Sequence, residues 1–255
     1  MMGPLPYVGG KRRVAKRLLT LFPPHVTYVE AFAGGAQLFF HKPPSIVEVI
    51  NDLDGEIVNL YRVLRRHPHE LARELRWQPA SRQLFAEHLA ADAAGLTDIE
   101  RAARFFYLQK NAFGGRRRHR HVQFGVTKPN NYQPQRLPDA LVQAADRLAR
   151  VQVESLPYEQ VVERYDRPTT FFYLDPPYVG VKHYAHNFTD EQFVGLAGRL
   201  ATLKGRFLLS INDSPNVREW FAAFHRAEIA FTYTAMRQPR SFRELLFANF
   251  PIRSP

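Results

Sequence analysis

Short apolar runs that stop abruptly at Gly, Asp, Asn or Pro recur along the chain. Four of them cover residues 27–29, 46–50, 170–174 and 207–211. They are followed in turn by the segments EAFAGG, ND, DPPY and ND. Continuous apolar runs of this length are typical of strands buried on both faces of a parallel sheet. The pattern therefore predicts a parallel sheet that contains these four strands.

A helical spacing of apolar residues alternates with these strands. Thr189 and Gln192 form a capping-box pattern that predicts the start of one helix, and Gly205 is predicted to end it. Alternation of strands and helices indicates an α/β, doubly wound sheet. The apolar residues at i, i+3, i+4 and i+7 are Ile57, Leu60, Tyr61 and Leu64 in one series, and Phe193, Leu196, Ala197 and Leu200 in the other.

The end of the chain departs from this alternation. Residues 228–235 and 244–250 are two apolar segments separated by a polar loop around residues 239–241. They predict two strands joined by that loop. We therefore expect a terminal β-hairpin.

The middle of the chain is predicted to be helical. Strand signals fade between residues 62 and 150, and Thr97 with Glu100 predicts the start of one helix there. This segment also carries many of the arginines. We predict one α/β domain, formed by residues 1–61 and 151–255, and a helical insertion, residues 62–150, as a second domain.

Size and composition restrict the class of protein. The 255 residues suffice for one sizeable core and a smaller appendage. The chain has no cysteine, which excludes disulfides and thiolate metal sites and is compatible with a reducing cytoplasm. No apolar run approaches membrane-spanning length, so no membrane partner is expected.

The charge is strongly positive. The formal net charge is +11 and the sequence pI is near 10.1. A polyanion is the simplest partner for such an excess, because its phosphates release counterions when Lys and Arg approach. The alternative is a basic surface that serves solubility.

Asp175-Pro176-Pro177-Tyr178 is the most informative segment for chemistry. Each proline keeps the residue before it extended, and neither proline has an N–H group. The turn therefore offers carbonyl oxygens and one carboxylate, which suit a ligand group that only donates, such as a planar exocyclic amine. Tyr178 adds an aromatic face on which a base can stack. The alternative is a plain Pro-Pro turn that leaves a strand.

A second segment has the features of a nucleotide pocket. Phe32-Ala33-Gly34-Gly35 follows the first strand, where glycines allow a tight turn and close approach of a ligand. Asp52 ends the next strand roughly 20 residues later, a spacing at which an acid accepts hydrogen bonds from ribose hydroxyls. The alternative for Asp52 is an acid favoured by the dipole of the following helix.

Gly9-Gly10-Lys11 does not fit a phosphate-binding P-loop. Leu5 stands in place of the first glycine, and Arg12 stands in place of the required Ser or Thr. An NTPase is therefore disfavoured. A cation at Lys11 suits instead the carboxylate of an amino-acid-like ligand.

Taken together and in their order along the chain, these segments resemble the Dam-like class of DNA adenine-N6 methyltransferases. The resemblance runs through residues 6–11, 28–35, 50–52 and 175–178 and covers most of the chain. It implies a Rossmann-like methyltransferase sheet, S-adenosylmethionine as the cofactor, and a catalytic role for Asp175, Pro176, Pro177 and Tyr178.

The resemblance also implies a set of cofactor contacts. These are Tyr7 and Lys11 at the methionine end, Phe32, Gly34 and Gly35 along the pocket, Asp52 at the ribose, Tyr158 at the adenine, and Asp175. Two positions depart from the family. Pro157-Tyr158 replaces an Asp-Phe pair, so that Tyr158 can stack but the carboxylate is missing. Ala36 stands where many members have a third glycine.

The helical insertion would then be the target-recognition region. Residues 108–115 and Phe124-Gly125 resemble the family's DNA-contacting hairpin, and a solvated loop is the alternative for the basic run between them. His119 and His121 lie among cations without any thiolate, so no metal is expected. The residues of the run that are predicted to bind DNA are Arg116, Arg117, Arg118 and Arg120.

The sequence thus predicts a site-specific enzyme that methylates N6 of an adenine flipped out of duplex DNA. The amine would donate to Asp175 and to the carbonyl of Pro176, with Tyr178 stacked on the base. The alternatives are a methyltransferase that acts on RNA adenine or another planar amine, and an inactive DNA-binding relative. N4-cytosine methylation is a further alternative, although that activity commonly accompanies Ser in place of Asp175.

Overall fold

Seven strands form one sheet in the order β3-β2-β1-β4-β5-β7-β6 in the computed structural model. The structure describes residues 3–7, 11–112, 122, 124, 132–181, 184–233 and 240–252. Strands β1 to β5 are parallel, whereas β7 is antiparallel to β5 and β6. The first five strands share the order of the dinucleotide-binding sheet. The predicted Rossmann-like, doubly wound α/β fold is therefore confirmed. The strands are β1 (Thr27–Glu30), β2 (Val47–Asn51), β3 (Gln152–Glu154), β4 (Thr170–Leu174), β5 (Arg206–Asn212), β6 (His225–Tyr233) and β7 (Arg240–Ala248).

The central strand β4 shows why its sequence is apolar throughout. All five of its residues are buried. Phe171 and Tyr173 belong to one hydrophobic cluster, whereas Phe172 and Leu174 belong to a second. Because alternate side chains of a strand point to opposite faces, both faces of β4 must be covered. The predicted range 170–174 equals the observed strand.

Two helices, α6 and α9, begin where capping patterns in the sequence place them. The capping boxes at Thr97 and Thr189 are confirmed. The helices are α1 (Ala15–Leu19), α2 (Gln37–His41), α3 (Gly55–Arg66), α4 (Pro68–Arg76), α5 (Arg82–Ala90), α6 (Asp98–Asn111), α7 (Leu137–Leu148), α8 (Tyr158–Tyr165), α9 (Asp190–Ala201) and α10 (Pro215–Trp220).

The prediction that Gly205 ends a helix is wrong. Helix α9 already ends at Ala201, and the N–H of Gly205 donates to Asp166 Oδ1 over 2.8 Å. A Cβ at Gly205 would lie 2.8 Å from the carbonyl oxygen of Thr170. The position therefore requires glycine for close backbone approach, not for a helix cap.

The terminal hairpin is confirmed, but its bounds differ from the prediction: β6 begins earlier, at His225, and residues 240 and 241, predicted in the loop, belong to β7. Strand β7 lies between β5 and β6 and brings Glu244 opposite Asn212 at the end of β5. The hairpin therefore places a residue from near the end of the chain at the same sheet edge as the DPPY segment.

Of the helices between β2 and β3, α3 packs against the sheet at β3, whereas α4, α6 and α7 pack on α3 and on one another and α5 packs on α6. Most of their buried apolar side chains belong to the same hydrophobic cluster as Phe171 and Tyr173. Residue 61 lies within α3, and Arg147 of α7 bonds to Glu48 of β2. The division into two domains stays a prediction. Among the described residues, no helix has the length and apolar character needed to cross a membrane.

Candidate active site

The carboxyl ends of β1, β2 and β4 open into one cavity of about 300 Å³. Parallel strands expose their carboxyl ends at one edge of a sheet, where ligands bind in open α/β folds. The cavity brings together most of the residues predicted from the sequence. Those that line it are Tyr7, Lys11, Phe32, Gly34, Gly35, Asp52, Tyr158, Asp175 and Pro177. Pro176 is buried.

Lys11 and Asp175 meet at one corner of the cavity. Lys11 Nζ donates to Asp175 Oδ1 over 2.8 Å and to the phenol oxygen of Tyr178 over 2.6 Å. Ser210 Oγ of β5 donates to the same Asp175 oxygen over 3.1 Å. Glu244 of β7 completes the corner, because it accepts from the Tyr178 phenol and lies 3.4 Å from Lys11 Nζ. We call these four residues, Lys11, Asp175, Tyr178 and Glu244, the acceptor corner.

The surroundings of the acceptor corner raise the pKa values of both Asp175 and Lys11. Burial raises the pKa of Asp175 to about 6; Lys11 opposes this increase and Glu244 reinforces it. For Lys11, burial lowers the pKa, but Asp175 and Glu244 outweigh burial and the net shift is upward. At neutral pH the corner therefore holds an ionised Asp175 beside a charged Lys11.

The glycine segment after β1 forms a tight left-handed turn. Gly34 has φ +47°, and a Cβ there would lie 2.9 Å from the ring of Tyr7. Ala36 also has a positive φ, +44°. This conformation costs an L-residue roughly 1 kcal/mol and explains why a glycine is suited to that position.

Asp52 supports this turn from the end of β2. Its Oδ2 accepts from the N–H of Gly34 over 2.8 Å, and its Oδ1 accepts from the N–H of Asp54 over 2.9 Å. Asp54, not Asp52, caps helix α3 by accepting from the N–H of Glu56. Asp52 itself lines the cavity, so the helix-cap alternative does not account for its position.

Three aromatic rings form one wall of the cavity. The ring centroids of Phe32 and Tyr158 lie 5.5 Å apart, and Phe188 lies 5.6 Å from each of them. Tyr158 is the first residue of α8, and burial raises the pKa of its phenol to about 12. The wall offers flat apolar surfaces to a planar ligand.

Several residues at the site were missed by sequence reasoning. Ser210 interrupts the apolar run of β5 and Glu244 directly precedes the apolar end of β7, which is the one signal that could have identified them. Glu30 ends β1, accepts from the N–H of Phe39 over 2.6 Å and lines the cavity. Burial raises the pKa of Glu30 to about 7. Phe188 and Tyr184 follow the DPPY segment and carry no motif of their own.

The predicted DNA-binding residues are not among those the structure describes. Arg116, Arg117, Arg118 and Arg120 lie outside the described residues, as do His119 and His121. Within the described ranges, no group of three or more His, Asp or Glu side chains could hold a metal ion.

Comparisons with known proteins point to one family. A family model described as D12 class N6 adenine-specific DNA methyltransferase matches residues 7–235. Type II methyltransferase M1.LlaDCHI of Lactococcus lactis subsp. cremoris is 28% identical over 268 residues, with 96% of this chain and 94% of that protein covered. Type II methyltransferase M.CviBI of Paramecium bursaria Chlorella virus NC1A is 27% identical and covers 88% of each chain. A DNA N-6-adenine-methyltransferase of Escherichia phage P1 is 25% identical, with 84% of this chain and 30% of that protein covered.

Proposed function

The chain belongs to the D12 class N6 adenine-specific DNA methyltransferase family, and we propose that its cavity binds S-adenosylmethionine beside an adenine flipped out of duplex DNA. The observation that carries this proposal is the position of Asp175. Its carboxylate faces the same cavity as Asp52 and the aromatic wall. An acceptor for an amine and the elements of a nucleoside pocket therefore lie within one site.

The residues of the cavity fit S-adenosylmethionine. The volume of about 300 Å³ is at the lower end of the range of small-molecule pockets. Asp52 would accept hydrogen bonds from the ribose hydroxyls, and Phe32 and Tyr158 would cover the adenine ring. Tyr7, Lys11, Gly34 and Gly35 would lie along the remainder of the cofactor. When bound, the cofactor supplies an electrophilic methyl group on a positively charged sulfur.

The chain's own part in the reaction is to orient an amine and stabilise charge. The N6 amine of adenine is a poor nucleophile, because its lone pair is delocalised into the ring. Asp175 and the carbonyl of Pro176 would accept its two hydrogens and so favour a pyramidal nitrogen. The nitrogen becomes cationic as it gains the methyl group, and Asp175 would then take up the surplus proton and release it to solvent.

The target base must leave the stack of the duplex to reach this corner. Extrusion costs a few kcal/mol, which stacking on the ring of Tyr178 would partly offset. The basic run of Arg116, Arg117, Arg118 and Arg120, with the helical insertion around it, would hold the DNA backbone by neutralising phosphates.

The test is a transfer assay with tritium-labelled S-adenosylmethionine and purified chain. Unmethylated duplex DNA and RNA are offered in parallel, and the products are digested to nucleosides and separated. We expect label in N6-methyldeoxyadenosine from the duplex. Label in RNA alone, in N4-methyldeoxycytidine, or in no nucleic acid would contradict the proposal.

A further inference from the structure

Glu244 is the residue of the acceptor corner for which sequence motifs give no role. It lies on β7 opposite Asn212 and is 2% exposed. Its Oε1 accepts from the phenol of Tyr178 and lies 3.4 Å from Lys11 Nζ. Its Oε2 is buried and has no hydrogen-bond partner among the described residues. A buried carboxylate oxygen without a partner is costly, so its retention calls for a compensating interaction.

Among the described residues, the acceptor corner carries more negative than positive charge. Two carboxylates, those of Asp175 and Glu244, contact one ammonium, that of Lys11. In a buried site this surplus of negative charge acts with little screening. It would be compensated by a cationic sulfur donor and by the nitrogen that becomes cationic during transfer.

Lys11 also competes with the adenine amine for the carboxylate of Asp175. Its Nζ donates to Asp175 over 2.8 Å, and the adenine amine must use the same carboxylate. Glu244 offers Lys11 a second acceptor only slightly farther away, at 3.4 Å. A small movement of the ammonium would leave Asp175 to the amine without leaving Lys11 unpaired.

We propose that Glu244 is a positioning residue for methyl transfer. It accepts the hydrogen bond of the Lys11 ammonium when Asp175 accepts the adenine amine, and it holds the phenol of Tyr178 in place by a second hydrogen bond. This inference rests on the proposed function of the cavity. Glu244 would thereby keep Asp175 available and add negative charge behind the reacting nitrogen, without touching the substrate itself.

The inference predicts a change in the pH dependence of the reaction. Glu244 is one of the groups that raise the pKa of Asp175, so neutralising Glu244 should lower that pKa. The acid limb of kcat should then move to lower pH. The other groups that face or act on Asp175 are Lys11, Tyr178, Tyr184, Tyr173 of β4, Ser210 of β5 and Glu30 of β1.

The experiment measures kcat, the KM for DNA and the pH profile of Glu244→Gln. Gln has the same size and can still accept from Tyr178, but it carries no charge. We expect kcat to fall about 10- to 100-fold, the KM for DNA to change little, and the acid limb to move to lower pH. Glu228→Gln on the neighbouring strand is the matched control, because Glu228 is exposed and pairs with Arg218. It should resemble the wild type.

A second variant separates charge from folding. Glu244→Asp restores the charge with a shorter reach and should recover part of the lost kcat, with thermal unfolding measured for every variant. If Glu244→Gln keeps kcat within twofold and an unmoved acid limb, the inference is overturned. It is also overturned if folded Glu244→Asp recovers nothing. A wild-type chain that methylates no DNA would instead overturn the proposed function.

Discussion

Two buried charge clusters lie at opposite edges of the sheet, and they differ in the sign of their surplus charge. The amino-edge cluster consists of Lys42, Glu48 and Arg147. Both oxygens of Glu48 accept hydrogen bonds there, from Lys42 over 2.5 Å and from Arg147 over 2.5 and 2.7 Å. In the acceptor corner, at the carboxyl edge, the unpartnered buried atom among the described residues is a carboxylate oxygen, Glu244 Oε2, whereas in the amino-edge cluster it is a guanidinium nitrogen, Arg147 Nε.

The difference in charge leads to opposite pKa shifts. In the amino-edge cluster two cations surround one carboxylate, and although burial opposes them, Arg147 and Lys42 lower the pKa of Glu48. In the acceptor corner two carboxylates share one cation, and burial raises the pKa of Asp175 to about 6. The amino-edge cluster has surplus positive charge, and its paired carboxylate links β2 to α7. A cluster with surplus negative charge is suited to a cationic ligand, so location and charge balance together distinguish a structural cluster from a reactive one.

The largest expected effect is on catalysis. Asp175→Ala removes the carboxylate that would orient the amine, and we expect kcat to fall about 10³-fold while DNA binding persists. Tritium transfer and a gel-shift titration measure the two quantities. Asp213→Ala is the matched control, because Asp213 follows β5 at the same edge but pairs with Arg218 over 2.6 Å. Near-normal turnover of Asp175→Ala would remove the distinction between the clusters.

A substitution in the amino-edge cluster should lower stability and leave catalysis unchanged. Glu48→Gln leaves Lys42 and Arg147 buried without their counter-ion, so the free energy of unfolding should fall by about 3 kcal/mol. Turnover per folded molecule should stay unchanged. Denaturant unfolding and kcat at low temperature measure both. Glu87→Gln, on the exposed face of α5, serves as the control. A catalytic loss in folded Glu48→Gln would contradict the structural role of this cluster.

A third carboxylate tests whether location at the carboxyl edge is sufficient for ligand binding. Asp52 binds two backbone N–H groups and lines the cavity. Asp52→Ala should weaken cofactor binding about 10- to 100-fold, as expected for a lost charged hydrogen bond. Calorimetric titration with S-adenosylmethionine measures it.

Asp166 provides a matched control for this prediction. Its carboxylate also accepts from two backbone N–H groups, those of Lys204 and Gly205, but it precedes β4 at the other edge. Asp166→Ala should alter stability and leave the cofactor affinity as it was. Equal dissociation constants for the Asp52 variant and the wild type would exclude the ribose contact.

The sequence predicts those features that depend on neighbouring residues. Strand β4 was predicted at its observed bounds, because an apolar run ends at Asp175 and two prolines. The capping box of α9 likewise needs only Thr189 and Gln192. Glu244 could not be predicted in this way, because its contact with Lys11 spans 233 positions and depends on how the hairpin joins the sheet.

Buried charges are difficult to identify from sequence for the same reason. Glu48 and Arg147 are 99 positions apart, and an isolated Glu in a strand reads equally well as a solvated residue. Gly205 illustrates a different failure. Its position after a helix suggested a cap, but the decisive contact is with Thr170, which belongs to a neighbouring strand.

The smallest expected effect is a difference between the pH dependence of kcat and the pH dependence of stability in weak acid. Because the pKa of Asp175 is raised to about 6, its accepting form is lost below that pH, and kcat should fall about tenfold for each further unit. Glu48 has the opposite shift. A lowered folded pKa means that its stabilising contribution is fully present above the ordinary value of 4.5 and is lost only as the pH falls through the folded pKa.

Burial lowers the pKa values of His25 and His88, which reduces stability as the pH falls through this range. Because Glu48 keeps its contribution down to pH 4.5, the chain should lose activity between pH 6 and 4.5 before it unfolds. The raised pKa of Glu30, about 7, acts in the same direction, because the folded state takes up that proton more readily than the unfolded state. Parallel measurement of kcat and of thermal unfolding by circular dichroism across this range gives the test. Activity should return in full when a sample held at pH 5 is assayed at pH 7.5. If unfolding follows the same curve as kcat, the two clusters do not titrate independently and the contrast between the sheet edges fails.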